Sequence, residues 1–276
     1  MLHLNLIRLG ARRLPSRLMS TNFTSVEIND KTGVAILTLC RPPVNSQNAQ
    51  MLRDIKSSID EIENNKSKGL IITSASSKVF SAGLDISEMY KADKEKLSTL
   101  WTELQNVWVA LYGSSLPTAA AINGHAPAGG CLLGVACEYR AMVPNCLIGL
   151  NETQLGIIAP EWLVSGYLNI LPQRVAERAL TQGRLFTTDE ALKEGLIDEI
   201  VNSKEEALEK CLNFINSFDK VNPVARSLTK MQFRAANIKE FEKNRQKDVD
   251  DFVLLASRPE VQKIMGDYLD KNKSKK

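Results

Sequence analysis

One glutamate in this sequence lies in an unusually apolar stretch. Glu152 belongs to the segment IGLNETQLGII, residues 148–158, which holds no other charged residue. Carboxylates are rarely buried unless they are paired or perform chemistry. If Glu152 faces an apolar pocket, burial raises the pKa of its carboxyl group, which then becomes a general base near neutral pH. An exposed loop glutamate is the alternative that the segment alone leaves open.

Two glycine-bearing turns precede this segment, and each runs from a predicted strand into a predicted helix. The first is VFSAGLD, residues 79–85, and the second is NGHAPAGGC, residues 123–131. A helix start presents backbone N–H groups without intrahelical partners, and small residues let a ligand approach them. Two such N–H groups could hold one oxygen atom as an oxyanion hole does, although ordinary tight turns have the same sequence pattern. Asp85 is expected to cap the helix that follows it rather than to act as a base.

The elements that must position these residues alternate between strands and helices. Strand–helix–strand alternation predicts parallel pairing and an α/β fold. The predicted strands cover residues 34–39, 69–73 and 119–122, and the predicted helices cover residues 49–64 and 97–112. After Pro160 the strand patterns nearly vanish. Helical patterns follow at residues 161–170, 173–181, 189–194 and 205–218, and then in a long C-terminal stretch.

The composition favours a soluble globular protein and argues against several kinds of site. Hydrophobic residues make up 43% of the chain and charged residues 24%. No apolar run approaches the roughly 20 residues that span a bilayer. The five cysteines form no CxxC pair, which argues against a disulfide framework and a zinc knuckle. His3 and His125 are the only histidines, so neither a His-rich metal site nor a Ser-His-Asp triad is expected.

The first 26 residues differ in composition from the rest of the chain. They contain Arg8, Arg12, Arg13 and Arg17 but no lysine and no acidic residue, as is typical of a mitochondrial transit peptide. A disordered basic tail is the alternative. Without these four arginines, 31 basic residues remain against 32 acidic ones, so the formal charge falls from +3 to −1. The body of the protein therefore has no charge pattern of a nucleic-acid-binding protein.

Four segments carry a resemblance to a known family. They are PPVNS (42–46), FSAGLD (80–85), PAGGCL (127–132) and, most specifically, IGLNETQLGIIAP (148–160). From about Val26 to the C-terminus the chain resembles the crotonase (enoyl-CoA hydratase/isomerase) superfamily, and within it the mitochondrial 3,2-trans-enoyl-CoA isomerases. The resemblance implies a crotonase-like α/β fold, a spiral of ββα units followed by a C-terminal helical trimerisation region. The expected division is a transit segment at 1–26, a spiral core at 27–205 and a C-terminal helical region at 206–276.

The resemblance also implies an acyl-CoA substrate and roles for particular residues. The backbone N–H groups of Leu84 and Gly129 would bind the thioester oxygen, and Glu152 falls at the position of the catalytic carboxylate. The residues expected to contact the substrate are Ser81, Ala82, Gly83, Leu84, Asp85, Gly129 and Asn151. We expect no separate cofactor, because coenzyme A is part of the substrate, and no metal, nucleic acid or membrane span. A homotrimer in the mitochondrial matrix is expected.

One departure from the hydratase pattern distinguishes between possible reactions. Hydratases of this family carry a second catalytic glutamate shortly after the second glycine turn, where this chain has Leu132. Hydration needs groups that activate a water molecule, which an apolar side chain cannot do. Moving a double bond from the 3- to the 2-position needs one carboxylate that carries a proton from C2 to C4. We therefore expect an isomerase of fatty-acid β-oxidation; the alternatives are a hydratase, a thioesterase or a non-catalytic acyl-CoA-binding scaffold.

Overall fold

The computed structural model describes residues 17–273, in which helices cover both faces of a seven-stranded sheet. The strands are β1 (Arg17–Ser20), β2 (Thr24–Ile28), β3 (Val34–Leu39), β4 (Gly69–Ser74), β5 (Thr118–Ile122), β6 (Ala126–Pro127), β7 (Tyr139–Met142), β8 (Leu147–Gly149), β9 (Phe186–Thr187) and β10 (Glu199–Ile200). The first helices are α1 (Ala49–Asn64), α2 (Ile86–Met89), α3 (Lys94–Tyr112), α4 (Gly129–Ala136) and α5 (Glu161–Leu168). The later helices are α6 (Gln173–Gln182), α7 (Thr188–Glu194), α8 (Lys204–Asn216), α9 (Pro223–Ala256) and α10 (Pro259–Lys273).

The large sheet is mostly parallel, in the order β1-β2-β3-β4-β5-β7-β10. β1 and β2 pair antiparallel, as do β2 and β3, and every later neighbour is parallel. All residues of β4 and β5 are buried, because helices cover both faces of a parallel sheet. A second, three-stranded sheet has the order β6-β8-β9. The predicted α/β class and parallel pairing are confirmed.

The two faces of the large sheet hold separate clusters of buried side chains. On one face, α1 buries Ile55, Ile59 and Ile62, whose spacing places them on a single helical face. On the other face, α8 contributes Cys211 and Ile215, which pack against side chains of β4, β5 and β7. The helical patterns of the sequence therefore correspond to helices that cover the sheet.

The predicted boundary between residues 205 and 206 does not match the packing. It cuts α8 near its start, although α8 lies against the sheet and belongs to the core. The helices that pack on other helices begin with α9, which contacts α3 and α5. A helical periodicity shows which face of a helix is apolar, but it does not show whether a sheet or another helix covers that face.

The predicted transit segment also overlaps the folded part of the chain. β1 and the first half of β2 fall within residues 1–26, and Val26 is buried in the main cluster. Removal of residues 1–26 would take away an edge strand and half of its neighbour. In the described structure the large sheet begins at Arg17, before the predicted start of the core at residue 27. Residues 1–16 lie outside the described residues, and the transit peptide stays a prediction for them.

The two C-terminal helices are fastened to the rest of the chain at different places. Near the start of α9, the buried side chains of Arg226 and Lys230 both pair with Glu138, the latter at 2.9 Å. α10 returns toward α2 and the turn that contains Glu152, and it buries Val261 and Met265. Between residues 17 and 273, no helix is long and apolar enough to cross a membrane.

Candidate active site

The two glycine turns meet at one edge of the large sheet. They follow β4 and β5, which are parallel neighbours, so the carboxyl ends of these strands lie together. The side chain of Asn123, after β5, accepts the N–H of Ser74 at 3.2 Å and donates to the carbonyl of Ser76 at 2.7 Å. Farther along, the N–H of Phe80 donates to the carbonyl of His125 at 2.9 Å. These hydrogen bonds hold one turn against the other.

The N–H group of Leu84 is left free by the way its neighbours pair. Gln47 donates its backbone N–H to the carbonyl of Gly83 at 2.7 Å, and its carbonyl accepts the N–H of Asp85 at 3.0 Å. In this parallel bridge, the carbonyl of Gly83 and the N–H of Asp85 bond to Gln47. The N–H of Leu84, which lies between these two groups along the chain, therefore points away from Gln47. No hydrogen bond of the Leu84 N–H occurs in the described part of the chain.

The second free N–H belongs to Gly129, the first residue of α4. The preceding residue, Ala128, has φ +49 and makes no side-chain cap. This strained conformation is held because the N–H of Ala128 donates to the carbonyl of Gly149 at 2.8 Å. Within residues 17–273 the N–H of Gly129 also has no partner.

The Leu84 and Gly129 N–H groups belong to backbones in direct contact. A Cβ atom on Gly83 would lie 2.8 Å from the backbone nitrogen of Gly129, and one on Gly129 would lie 3.2 Å from Cα of Gly83. Gly83 also has φ +80, which glycine adopts without strain. The structure therefore brings together the two predicted donors, and only glycine allows this approach.

The side chain of Gln47 forms hydrogen bonds to both glycine turns. The sequence alone did not predict this role. This fully buried side chain donates through Nε2 to Oγ of Ser81 and to the carbonyl of Gly129, both at 3.1 Å. Oγ of Ser81 in turn donates to the carbonyl of Asn45 at 2.8 Å. The one sequence feature that could have identified Gln47 is its position directly after the PPVNS segment.

Glu152 is placed by the small sheet. β8 pairs in parallel with β6, with Pro127 opposite Gly149, so the residues after β8 lie beside the second glycine turn. Glu152 then starts a 3-10 turn, Glu152–Leu155, which ends at Gly156 in the left-handed conformation. A Cβ on Gly156 would lie 3.2 Å from Ile264 of α10, which shows how closely α10 covers this turn.

Glu152 is half-buried as a residue, but the Oε2 atom of its carboxyl group is fully buried and has no hydrogen-bond partner. Burial raises the pKa of Glu152 to about 7, and a hydrogen bond from its own backbone opposes the rise. Burial also raises the pKa of the Cys131 thiol, and the Glu152 charge adds to that rise, so the two side chains are close. Leu132, at the position of the second hydratase glutamate, is buried and apolar.

The remaining predicted contact residues differ in their access to a ligand. Ser81 and Gly83 are buried, whereas Ala82, Leu84, Asp85 and Asn151 are partly exposed. Asp85 caps α2 and pairs with Arg41 at 2.9 Å, as expected of a structural residue. Burial alone would raise the pKa of Asp85, but hydrogen bonds from Ser87 and Arg41 keep it below the usual value. Among the described residues, no cluster of His, Cys, Asp and Glu could hold a metal ion.

The burial of Glu152 predicts a pH-dependent gain in stability when its charge is removed. Its folded pKa of about 7 exceeds the ordinary 4.5, so ionisation costs the folded state stability as the pH rises through this window. The difference in free energy of unfolding between Glu152→Gln and the wild type should grow in favour of the variant by about 2.5 kcal/mol between pH 5 and pH 8. Urea denaturation at both pH values measures this difference.

The exposed Glu177, substituted by Gln, serves as the matched control for this experiment. Its side chain is exposed in the folded protein, so this variant removes a charge without removing a buried carboxyl group. A Glu152→Gln difference that is equal at pH 5 and pH 8 would show that the Glu152 carboxyl is not desolvated.

Comparisons with known proteins agree with this architecture. The sequence profile described as "Enoyl-CoA hydratase/isomerase" matches residues 29–275. The protein "Enoyl-CoA delta isomerase 1, mitochondrial" of Rattus norvegicus is 40% identical over 270 residues, which cover 97% of this chain and 91% of that protein. The Homo sapiens protein of the same name is also 40% identical over 270 residues, which cover 97% of this chain and 87% of its own length.

Solved structures show the same similarity. The crystal structure of human mitochondrial delta3-delta2-enoyl-CoA isomerase has a TM-score of 0.89 and 40% identity, covering 92% of this chain and 100% of that one. An enoyl-CoA hydratase from Bacillus halodurans has a TM-score of 0.79 at 24% identity, covering 89% of this chain and 99% of its own, and supports the fold alone. The expected crotonase-like fold is confirmed, and the chain belongs to the enoyl-CoA hydratase/isomerase family.

Proposed function

We propose that this protein is a 3,2-enoyl-CoA isomerase, which converts 3-cis- or 3-trans-enoyl-CoA into 2-trans-enoyl-CoA during fatty-acid β-oxidation. One observation carries the proposal: a single buried carboxyl group, Glu152 with a pKa of about 7, accompanies two free backbone N–H groups. The relatives that match nearly the whole chain are named as enoyl-CoA delta isomerases, which supports the same reaction.

The proposed reaction consists of two proton transfers. The thioester oxygen of the substrate accepts hydrogen bonds from the N–H groups of Leu84 and Gly129. Glu152 removes a proton from C2, and the resulting dienolate places its charge on the thioester oxygen, where these N–H groups stabilise it. The protonated Glu152 then delivers the proton to C4. Substrate and product are isomers, so no cofactor is needed.

The pKa of Glu152 suits a group that must both accept and donate a proton. A carboxyl group with a pKa of about 7 exists in both protonation states near neutral pH. Burial, and not a neighbouring carboxylate, raises this pKa. Leu132 fills the place where a hydratase carries a second carboxylate that could activate water. These features favour isomerisation over hydration and thioester hydrolysis.

The first test follows the turnover of 3-trans-hexenoyl-CoA through the absorbance of the conjugated 2-enoyl thioester. Glu152→Gln should lower kcat by at least about 10²–10⁴-fold, because Gln cannot accept the C2 proton. In the wild type, kcat/KM should rise about tenfold per pH unit below pH 7 and level off above it, since the carboxylate is the active form. Glu177→Gln is the matched control and should match the wild type.

Other outcomes of this test identify the alternatives. Consumption of 2-trans-enoyl-CoA in place of its formation would indicate a hydratase, and release of free coenzyme A would indicate a thioesterase. A folded wild type that binds acyl-CoA without turnover would indicate a scaffold. Full activity in Glu152→Gln would rule out the proton shuttle.

A second test concerns the two N–H donors. Gly83→Ala would place a methyl group 2.8 Å from the nitrogen of Gly129 and so push the two turns apart. Because the donors then no longer converge on one oxygen, kcat should fall by about 10²–10³-fold. Activity and thermal unfolding are measured together.

Gly195→Ala provides the control for backbone strain. Gly195 has φ +86, close to that of Gly83, but the nearest atom to an added Cβ is 3.8 Å away. Both variants carry the strain of a left-handed alanine, whereas only Gly83→Ala disturbs the donors. Equal losses of kcat in the two variants would show that the Gly83 contact does not set the geometry of the oxyanion hole.

We further infer that the protein is a homotrimer in the mitochondrial matrix. The matching mammalian proteins are named mitochondrial, and the N-terminal composition favours import. On α9, Val224, Leu228 and Phe233 have 65%, 64% and 77% of their surfaces exposed in the single chain. Apolar side chains this exposed are typical of a surface that contacts another subunit.

Analytical ultracentrifugation tests the trimer. A chain that begins at Arg17 should sediment as a single species of three times the chain mass. Phe233→Glu should shift the distribution toward smaller species if α9 lies in the interface, because a charge would be buried there. A wild type that sediments as a monomer at micromolar concentration would refute the trimer.

A further inference from the structure

A fully buried amide lies between the two turns that carry the proposed oxyanion donors. Gln47 directly precedes the N-cap residue of α1, and none of its surface is exposed. A glutamine is rarely buried completely, because its amide must then find hydrogen-bond partners inside the protein. An apolar side chain would fill the same space without this requirement. The amide of Gln47 therefore calls for an explanation beyond packing.

The backbone of Gln47 sets the direction of the Leu84 N–H group. The N–H of Gln47 donates to the carbonyl of Gly83 at 2.7 Å, and its carbonyl accepts the N–H of Asp85 at 3.0 Å. The carbonyl of Gly83 and the N–H of Leu84 belong to one planar peptide group and point in opposite directions. A bond that holds this carbonyl therefore also holds the N–H.

The side chain of Gln47 reaches across to the second donor. Its Nε2 atom donates to the carbonyl of Gly129 and to Oγ of Ser81, both at 3.1 Å. On the other side of the Gly129 N–H, the N–H of Ala128 donates to the carbonyl of Gly149 at 2.8 Å. The peptide group that carries the Gly129 N–H is therefore held on both sides, while the N–H itself stays free.

The orientation of the Gln47 amide follows from its partners. The carbonyl of Gly129 can only accept a hydrogen bond, so the nitrogen of the amide must face it. The Oε1 atom of Gln47 is then buried without a partner, which is unfavourable. It lies against Gly129, in the space that a side chain at this position would need.

The partners of Nε2 do not depend on Gln47 for their own hydrogen bonds. Oγ of Ser81 also donates to the carbonyl of Asn45 at 2.8 Å. The carbonyl of Gly129 belongs to the first residue of α4, where the helix itself supplies a donor four residues later. The amide is therefore not needed to satisfy the groups around it, although its own oxygen is left unpaired.

We propose that Gln47 is a positioning residue of the oxyanion hole, whose amide holds the Leu84 and Gly129 N–H groups at the spacing that the thioester oxygen requires. This inference rests on the proposed function, in which these N–H groups bind that oxygen. Gln47 does not touch the substrate, because it is fully buried and the Leu84 N–H points away from it. Donors that are already aligned need no rearrangement when charge develops on the oxygen.

Other hydrogen bonds keep the turns joined without the Gln47 side chain. Asn123 bonds to Ser74 and Ser76, and the N–H of Phe80 bonds to the carbonyl of His125. These contacts lie at the ends of the turns that adjoin the strands. Loss of the Gln47 amide therefore releases only the part of the turns that carries the donors, and the fold should remain intact.

The substitution Gln47→Met keeps the length of the side chain and removes its amide. With 3-trans-hexenoyl-CoA, kcat should fall about tenfold, less than the about 10²–10³-fold that follows complete loss of a donor. KM should change by less than about twofold, because the donors bind the charged dienolate more strongly than the neutral thioester. Gln47→Leu serves as a second variant if the longer methionine prevents folding.

Gln105→Met is the matched control. Gln105 on α3 is also fully buried, and its Oε1 atom is also unpaired. Its Nε2 donates to Oδ2 of Asp248 at 2.7 Å and to the carbonyl of Arg245 at 3.3 Å. These bonds join α3 to α9 and involve neither turn. The control therefore loses hydrogen bonds of the same kind and should keep the kcat of the wild type. Thermal unfolding verifies that each variant is folded.

An infrared measurement makes the test independent of turnover. The probe is hexanoyl-CoA with an isotope-labelled thioester carbonyl, which has no double bond to move. Hydrogen bonds from two aligned N–H groups lower the stretching frequency of the bound carbonyl, and this shift should be smaller in Gln47→Met than in the wild type and Gln105→Met. A smaller shift supports the positioning role even if the wild type isomerises nothing, in which case only the proposed function fails.

Two outcomes would overturn the role of Gln47. One is an equal kcat and an equal carbonyl shift in Gln47→Met and the wild type, whatever the change in thermal stability, since the amide would then be purely structural. The other is a bound carbonyl that shows no shift in the wild type, because the N–H groups would then not hold the thioester oxygen.

Discussion

The contact between Gly83 and Gly129 is the constraint on which the rest of the site depends. The N–H groups of Leu84 and Gly129 can converge only because two glycine backbones touch with no side chain between them. The parallel pairing of β4 and β5 brings the turns to one edge, and Gln47 bonds to both of them. The strand order therefore determines where the two turns meet, and the contact between the two glycines determines the direction of the two N–H bonds.

The base depends on the same scaffold through the small sheet. The carbonyl of Gly149 accepts the N–H of Ala128 at the strained start of α4, and Glu152 follows three residues later. One short ladder therefore fixes an oxyanion donor and the carboxyl group together. α10 packs on Gly156 at the end of the Glu152 turn, so the C-terminal helices shape the site as well as covering the protein. A division of the chain into a spiral core and a separate C-terminal helical region does not describe this contribution of α10 to the site.

Local patterns in the sequence predicted the elements well, but not the contacts between them. The predicted strand at 34–39 and helix at 49–64 match β3 and α1, because alternation and helical spacing are local properties. Only β3, β4 and β5 were predicted among the ten strands of the described structure. Most of the missed strands have two to four residues, too few to show a periodicity. The isolated charge of Glu152 was visible, whereas the role of Gln47 was not. That role arises from partners distant in sequence, Ser81 and Gly129, and nothing in the residues next to Gln47 indicates these partners.

The apolar surroundings of Glu152 determine two properties of the site at once. Burial lifts the pKa of the carboxyl group to about 7, where one group can serve as base and then as acid. The same burial, with Leu132 beside the second turn, removes the means to hold a reactive water molecule. A proton taken from C2 then remains on Glu152 until carbon accepts it.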